Sequence, residues 1–121
     1  MKKLVSIYLA SICLLLASAQ CLAANTCFVT EFSAAPPPMY PVAQQPPLAE
    51  QTIAISSSST QSSAFQPNTV FVRITCDASV SIKFGTNPTA TVTTALLPSG
   101  LIEYYLVPAG QSYKLAVIAN S

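Results

Sequence analysis

Thr69-Val70-Phe71-Val72-Arg73-Ile74-Thr75-Cys76, followed after Asp77-Ala78 by Val80, Ile82 and Phe84, carries a period of two. In an extended chain, that period puts Val70, Val72, Ile74 and Cys76 on one face and Phe71, Arg73 and Thr75 on the other. Ser81 and Lys83 turn outward between Val80, Ile82 and Phe84. Asp77-Ala78 reads as a tight hairpin joining the two runs, with Asp77 capping the turn backbone.

The same rhythm continues on both sides of this stretch. Downstream, Gly85-Thr86-Asn87-Pro88 breaks the chain, and Thr89 to Thr94 is Thr-rich with no clear period. Leu101 to Val107 is a further strand, ended by Pro108-Ala109-Gly110, and Tyr113 to Ile118 is the last. Upstream, Pro67-Asn68 marks a turn, Ser62 to Phe65 pairs back, and Thr52-Ile53-Ala54-Ile55 precedes the flexible run Ser56 to Thr60. Cys27 to Phe32 is β-prone and forms a first strand. Gly85, Gly100 and Gly110 stand far apart, as turn punctuation and not as a phosphate loop. No window beyond the N-terminal apolar run has a helical stripe. Six or seven short strands separated by turn residues predict an all-β fold, a small antiparallel β-sandwich or a jelly-roll-like barrel.

Between the first strand and Gln51 lies a Pro-rich stretch with Pro36, Pro37, Pro38, Pro41, Pro46 and Pro47. Six prolines in 12 residues exclude helix and any central strand. The stretch reads as an extended arm lying along its own domain or a neighbouring subunit. Pro38-Met39-Tyr40-Pro41 formally fits P-x-x-P but lacks a flanking basic residue.

Met1-Lys2-Lys3, the apolar run Leu4 to Ala17 and the small residues up to Ala24 have the layout of a secretory signal peptide. The run is short for a spanning helix, which needs about 20 apolar residues. An uncleaved anchor is the alternative, and Gln20 argues against lipidation of Cys21. The chain therefore divides into a signal peptide (1–24), an N-terminal strand with the Pro-rich arm (25–50) and a β-sandwich core (51–121). Export is the expected fate, to a periplasmic, extracellular or virion-associated location.

Beyond residue 24, Arg73, Lys83 and Lys114 stand against Glu31, Glu50, Asp77 and Glu103, a formal charge of −1. Charge this sparse gives no basic patch for nucleic acid and no polybasic stretch for a membrane surface. Of the four cysteines, cleavage at or after Ala23 leaves only Cys27 and Cys76. An even pair in an exported domain reads as one disulfide; two buried thiols are the alternative.

The sequence contains no His and no Trp, so no Ser-His or Cys-His nucleophile arrangement exists. Cys27 and Cys76 lie too far apart in sequence for a zinc knuckle, and no metal or cofactor is expected. Glu31, Asp77 and Glu103 are formal acid/base candidates, better explained as solvated surface charges. Tyr104-Tyr105 puts one ring on each face of its strand. One of them is expected to turn outward; a core ring with its hydroxyl satisfied at the rim is the favoured reading, and an anchor for a protein partner or a glycan, with Tyr40 or Tyr113 nearby, is the alternative.

Several runs together carry a family likeness. They are Val29-Thr30-Glu31-Phe32, the proline arm, Leu48-Ala49-Glu50-Gln51-Thr52, Phe71-Val72-Arg73-Ile74, Phe84-Gly85-Thr86-Asn87-Pro88-Thr89-Ala90-Thr91, and Glu103-Tyr104-Tyr105 with Val107 to Ile118. In this order they resemble small tailed-phage virion-associated proteins of the head or decoration type. The resemblance covers nearly all of Val29 to Ser121. It implies a small β-sandwich that decorates or joins parts of a capsid, with no active site to carry over. Members of that group begin near the Thr-Glu-Phe segment without a signal peptide, and their residue at the place of Cys76 is usually not cysteine. Both differences point toward an oxidising compartment. Two functions are therefore expected: a non-enzymatic structural protein of phage origin acting by self-association or docking on a virion lattice, or an exported bacterial β-sandwich that binds protein or glycan.

Overall fold

The computed structural model describes residues 24–35 and 44–121. Eight strands run in order: β1 (Thr26–Phe32), β2 (Ala49–Ala54), β3 (Thr60–Gln61), β4 (Phe71–Cys76), β5 (Val80–Gly85), β6 (Ala95–Leu97), β7 (Ile102–Leu106) and β8 (Lys114–Ala119). They form two four-stranded antiparallel sheets, β2-β1-β4-β7 (sheet A) and β3-β8-β5-β6 (sheet B). The sheets stack as a sandwich and do not close into a barrel, which decides between the two architectures the sequence allowed. Apart from the β1–β2 and β5–β6 hairpins, each connection carries the chain to the opposite sheet, the double-sheet route of a jelly roll. No helix occurs among the described residues.

The alternation in the 69–76 stretch sets the core. Val72, Ile74 and Cys76 of β4 point between the sheets and meet Val29 and Cys27 of β1, Ile53 of β2, Val80 and Ile82 of β5, Leu97 of β6 and Leu115 and Val117 of β8. Each fully buried aliphatic side chain of this set contributes about 1.5–3 kcal/mol by leaving water. Cys27 and Cys76 are opposite each other in the β1–β4 ladder, Cα–Cα 4.0 Å, and are disulfide-bonded inside the core.

Three local expectations change. Asp77-Ala78 is not a hairpin turn, because β4 pairs with β1 and β7 while β5 pairs with β6 and β8. Both runs bury an apolar face, and two such faces are hidden from water by stacking as separate layers, not by lying side by side. The division at residues 50 and 51 does not follow the structure either, since β1 is a central strand of sheet A. The Pro-rich stretch connects β1 to its neighbour β2, and its two ends meet where the Ser33 hydroxyl donates to Gln44 Oε1 at 2.9 Å. Its middle (36–43) lies outside the described residues, as does the signal segment up to residue 23. Finally, Ser62 to Phe65 extends β3 along β8 through Ser62 N–H to Leu115 O and Phe65 N–H to Tyr113 O.

The outer faces of the two sheets differ. Across sheet B lies the connection from Gly85 to Ala95. Val92 O accepts hydrogen bonds from Asn120 Nδ2 (3.0 Å) and Ser81 Oγ (3.4 Å), and Gln61 Nε2 holds Pro88 O (2.7 Å) and Asn87 Oδ1 (2.9 Å). Ser81 and Ala116, which point outward from sheet B, are consequently buried. No comparable connection among the described residues crosses sheet A, whose outer face exposes Phe28, Ile102, Tyr104 and Leu106, whereas on the sheet B side Val92 and Leu96 are exposed.

Candidate functional site

The strand register lays the outer face of sheet A out as a grid of three rows, each running from β2 through β1 and β4 to β7. One row is Thr52, Phe28, Thr75 and Ile102; the next is Glu50, Thr30, Arg73 and Tyr104; the third ends in Phe32, Phe71 and Leu106. Phe28 is 49 % exposed, Ile102 51 %, Tyr104 53 % and Leu106 74 %. Isolated exposed apolar residues are ordinary on protein surfaces, but a contiguous group on one face marks a contact surface. Phe32 and Phe71 are buried yet stand apart from the inter-sheet core. Their rings pack at 5.7 Å, and Tyr104 lies flat on Phe71 at 5.5 Å with an interplanar angle of 7°. That stacking fixes the exposed tyrosine ring with little conformational freedom left to lose on binding.

Between β2, β1 and β4 the face sinks into an open depression of about 570 Å³, lined by Phe28, Thr30, Glu50, Thr52, Arg73 and Thr75. Arg73 donates from Nη2 to Thr30 Oγ1 at 3.2 Å. The row therefore carries a carboxylate at the β2 edge and a guanidinium near its centre within an otherwise apolar and hydroxylic surface. Such an arrangement binds by apolar contact and orients its partner by charge. It offers no nucleophile held against a base.

Tyr104 and Tyr105 separate as their adjacent positions require. Tyr104 faces out, whereas Tyr105 turns between the sheets beside Phe84 (5.0 Å) and donates its hydroxyl to Glu103 Oε2. Burial, then the hydrogen bond to Glu103 and the charge of that carboxylate, raise the Tyr105 phenol well above its ordinary pKa of 10.0. Tyr113 packs against the core as a partly buried ring. Tyr40, the third tyrosine proposed for an interface, lies outside the described residues.

The three formal acid/base candidates are dispersed. Glu31, expected as a solvated charge, is only 1 % exposed. Its Oε2 accepts from Thr69 Oγ1 (2.6 Å) and Gln66 N–H (2.8 Å), and its Oε1 from Gln51 Nε2 (2.8 Å). The correction has a plain cause: Glu31 sits on the inward side of β1, level with Val72, where the connection preceding β4 brings two donors to meet it and Gln51 of β2 supplies the third. Gln51 passes the network on by accepting from Ser63 N–H at 2.9 Å. Asp77 Oδ1 accepts from Thr26 N–H at 2.7 Å and so caps the start of β1, not its own turn. Glu103 belongs to the Tyr105 pair. No group of three His, Cys, Asp or Glu side chains among the described residues converges on a possible metal position.

Of the residues on this face, Tyr104 alone was singled out from the sequence; Phe28, Thr30, Glu50, Arg73, Ile102 and Leu106 were not. For Arg73 the signal was present in the odd members of the 71–75 alternation, which read as one face of the strand opposite Val72 and Ile74. No protein family, curated protein or solved structure matches this chain.

Proposed function

We propose that this chain is an exported, non-enzymatic docking module, a structural or decoration-type protein of phage kind, that attaches to a larger protein assembly through the outer face of sheet A. The observation that carries the reading is the group of exposed side chains on that face, Phe28, Ile102, Tyr104 and Leu106, gathered around Arg73. Aromatic and arginine anchors set in an apolar surface are the composition of an interface centre. Two further features favour binding over catalysis: both Glu31 oxygens are occupied by structural donors, and Glu103 is engaged by Tyr105. The resemblance in the runs Val29 to Phe32, Phe84 to Thr91 and Val107 to Ile118 supplies the virion context. The signal-like N-terminus and the disulfide support export.

The test is co-sedimentation with phage particles purified from a host that carries the gene. The wild-type chain travels with the particles at fixed stoichiometry, and Arg73→Glu and Phe28→Glu release it. A chain that stays at the top of the gradient, free of particles, overturns docking on a virion. A second reading, an exported bacterial module for protein or glycan, is favoured by the flat, half-exposed Tyr104 ring, which has the geometry of a sugar-stacking platform. Glycan-array binding that disappears in Tyr104→Ala would select it.

A further inference from the structure

The depression at the centre of sheet A offers a ligand side chains but no backbone. β1 pairs with β2 and β4, and β4 with β1 and β7, so the ladders take up the N–H and C=O groups of both strands. A peptide laid over this place finds no main-chain partners and leaves its own amides unpaired. The molecule that suits it carries polar groups around an apolar body and needs only side chains to meet them.

Three kinds of contact are available. Phe28, 49 % exposed, presents an aromatic ring at the depression, and the negative face of such a ring attracts polarised C–H groups. The side-chain hydroxyls of Thr52 and Thr75 make no hydrogen bond among the described residues, and Thr30 Oγ1 accepts from Arg73 with its own proton still to give. Arg73 is the third. Its bond to Thr30 draws the guanidinium toward β1, and its other N–H groups have no partner among the described residues. No carboxylate stands beside it on this face. Its cross-strand neighbours are Thr30 and Tyr104, and Glu50, in the same row, is two strands away, about 9.5 Å at the ordinary strand spacing.

A positioned guanidinium without an acid sets the charge of the ligand. Covering Arg73 with a neutral molecule strips water from an unpaired cation, which is costly. A carboxylate instead meets the planar fork with two charge-assisted bonds. A phosphate dianion fits less well, because Arg73 is the one cation in the lining and Glu50 shares it. The volume, about 570 Å³, lies within the range of small-ligand sites, about 300–1,000 Å³.

We infer that the depression is a subsite for a carboxylated sugar, a uronic-acid residue of a glycan. The carboxylate lies on Arg73, ring hydroxyls meet Thr30, Thr52, Thr75 and Glu50, and the apolar ring face covers Phe28. Tyr104, next to Arg73 in the same row and stacked flat on Phe71, takes the adjoining sugar residue. This assignment deepens the glycan reading of the face given above and rests on it.

Calorimetric titration of the purified full chain with oligosaccharides of galacturonate, alginate and hyaluronan, each beside its carboxyl-reduced neutral counterpart, is the test. At least one acidic oligosaccharide binds, and reducing its carboxylates weakens binding tenfold or more. Arg73→Gln unfolds cooperatively like the wild type but binds acidic and reduced forms alike. Thr52→Val weakens both forms by a similar factor and leaves their ratio unchanged. Binding indifferent to the carboxylate, or an acid preference that survives in Arg73→Gln, overturns the inference, as does the absence of binding to every acidic form. The glycan reading itself falls only if the neutral forms and the glycan array give no binding either.

Discussion

Replacing Glu31 by glutamine removes one charge from the interior while almost preserving shape, and its cost can be worked from the three hydrogen bonds. An amide oxygen in the place of Oε2 still accepts from Gln66 N–H and Thr69 Oγ1, but as a neutral acceptor. Charge-assisted bonds are roughly twice as strong as neutral ones, so these two together lose about 1–2 kcal/mol. The amide nitrogen then meets Gln51 Nε2, donor against donor, and one buried group is left unpaired at about 1–3 kcal/mol. Gln51 cannot turn its amide to help, because its oxygen already holds Ser63 N–H. The sum is about 3 kcal/mol, a large share of the 5–15 kcal/mol typical of a domain. In urea, with a slope of about 1.5 kcal/mol/M, the unfolding midpoint falls by about 2 M. Thr69→Val supplies the partner for a double-mutant cycle, with an expected coupling of about 1 kcal/mol or more. A midpoint for Glu31→Gln within about 0.3 M of wild type would refute the network's role. So would additivity of the two substitutions.

Cys76→Ser, which opens a cross-link with a sequence separation of 49, lowers stability by about 4 kcal/mol on the chain-entropy estimate when measured under oxidising conditions and by little under reducing ones. Equal losses in both would assign Cys76 a packing role alone. Val72→Asp places a carboxylate among the fully buried residues of β4, at a cost of several kcal/mol, so the variant shows no cooperative unfolding transition by circular dichroism. Tyr105 keeps its proton above the pH at which an unfolded chain loses it, so its contribution to stability is complete below about pH 10 and declines as pH rises beyond. Ultraviolet titration of the folded protein finds one tyrosine resisting ionisation near that pH, and Tyr105→Phe abolishes that resistant fraction.

Much of the fold was legible because burial in a sandwich imposes a period of two. The core positions Val72, Ile74, Val80 and Ile82 follow from alternation alone, as does the opposite facing of Tyr104 and Tyr105. Which strand lies beside which did not follow, since the same alternation suits a hairpin neighbour and a strand in the facing layer equally well. The separation of β4 from β5 is decided by contacts distant in sequence, including the pairing of β4 with β1. Glu31 was misread for a related reason. A carboxylate in a β-prone segment looks solvated until the 66–69 backbone and the Thr69 hydroxyl arrive from more than 30 residues away. The outer face of sheet A was half legible, because Phe71, Arg73 and Thr75 were placed together, but that no described connection covers it depends on the 86–94 connection lying across sheet B instead.

The first and last strands, β1 and β8, both occupy interior positions in their sheets. A polypeptide threaded N-terminus first holds β1 early, yet sheet B has no spine until Lys114–Ala119 emerges to join β3 with β5. Sheet B is therefore completed only through contacts distant in sequence, a high-contact-order path with slow closure. Trimming those six C-terminal strand residues would leave a half-built layer.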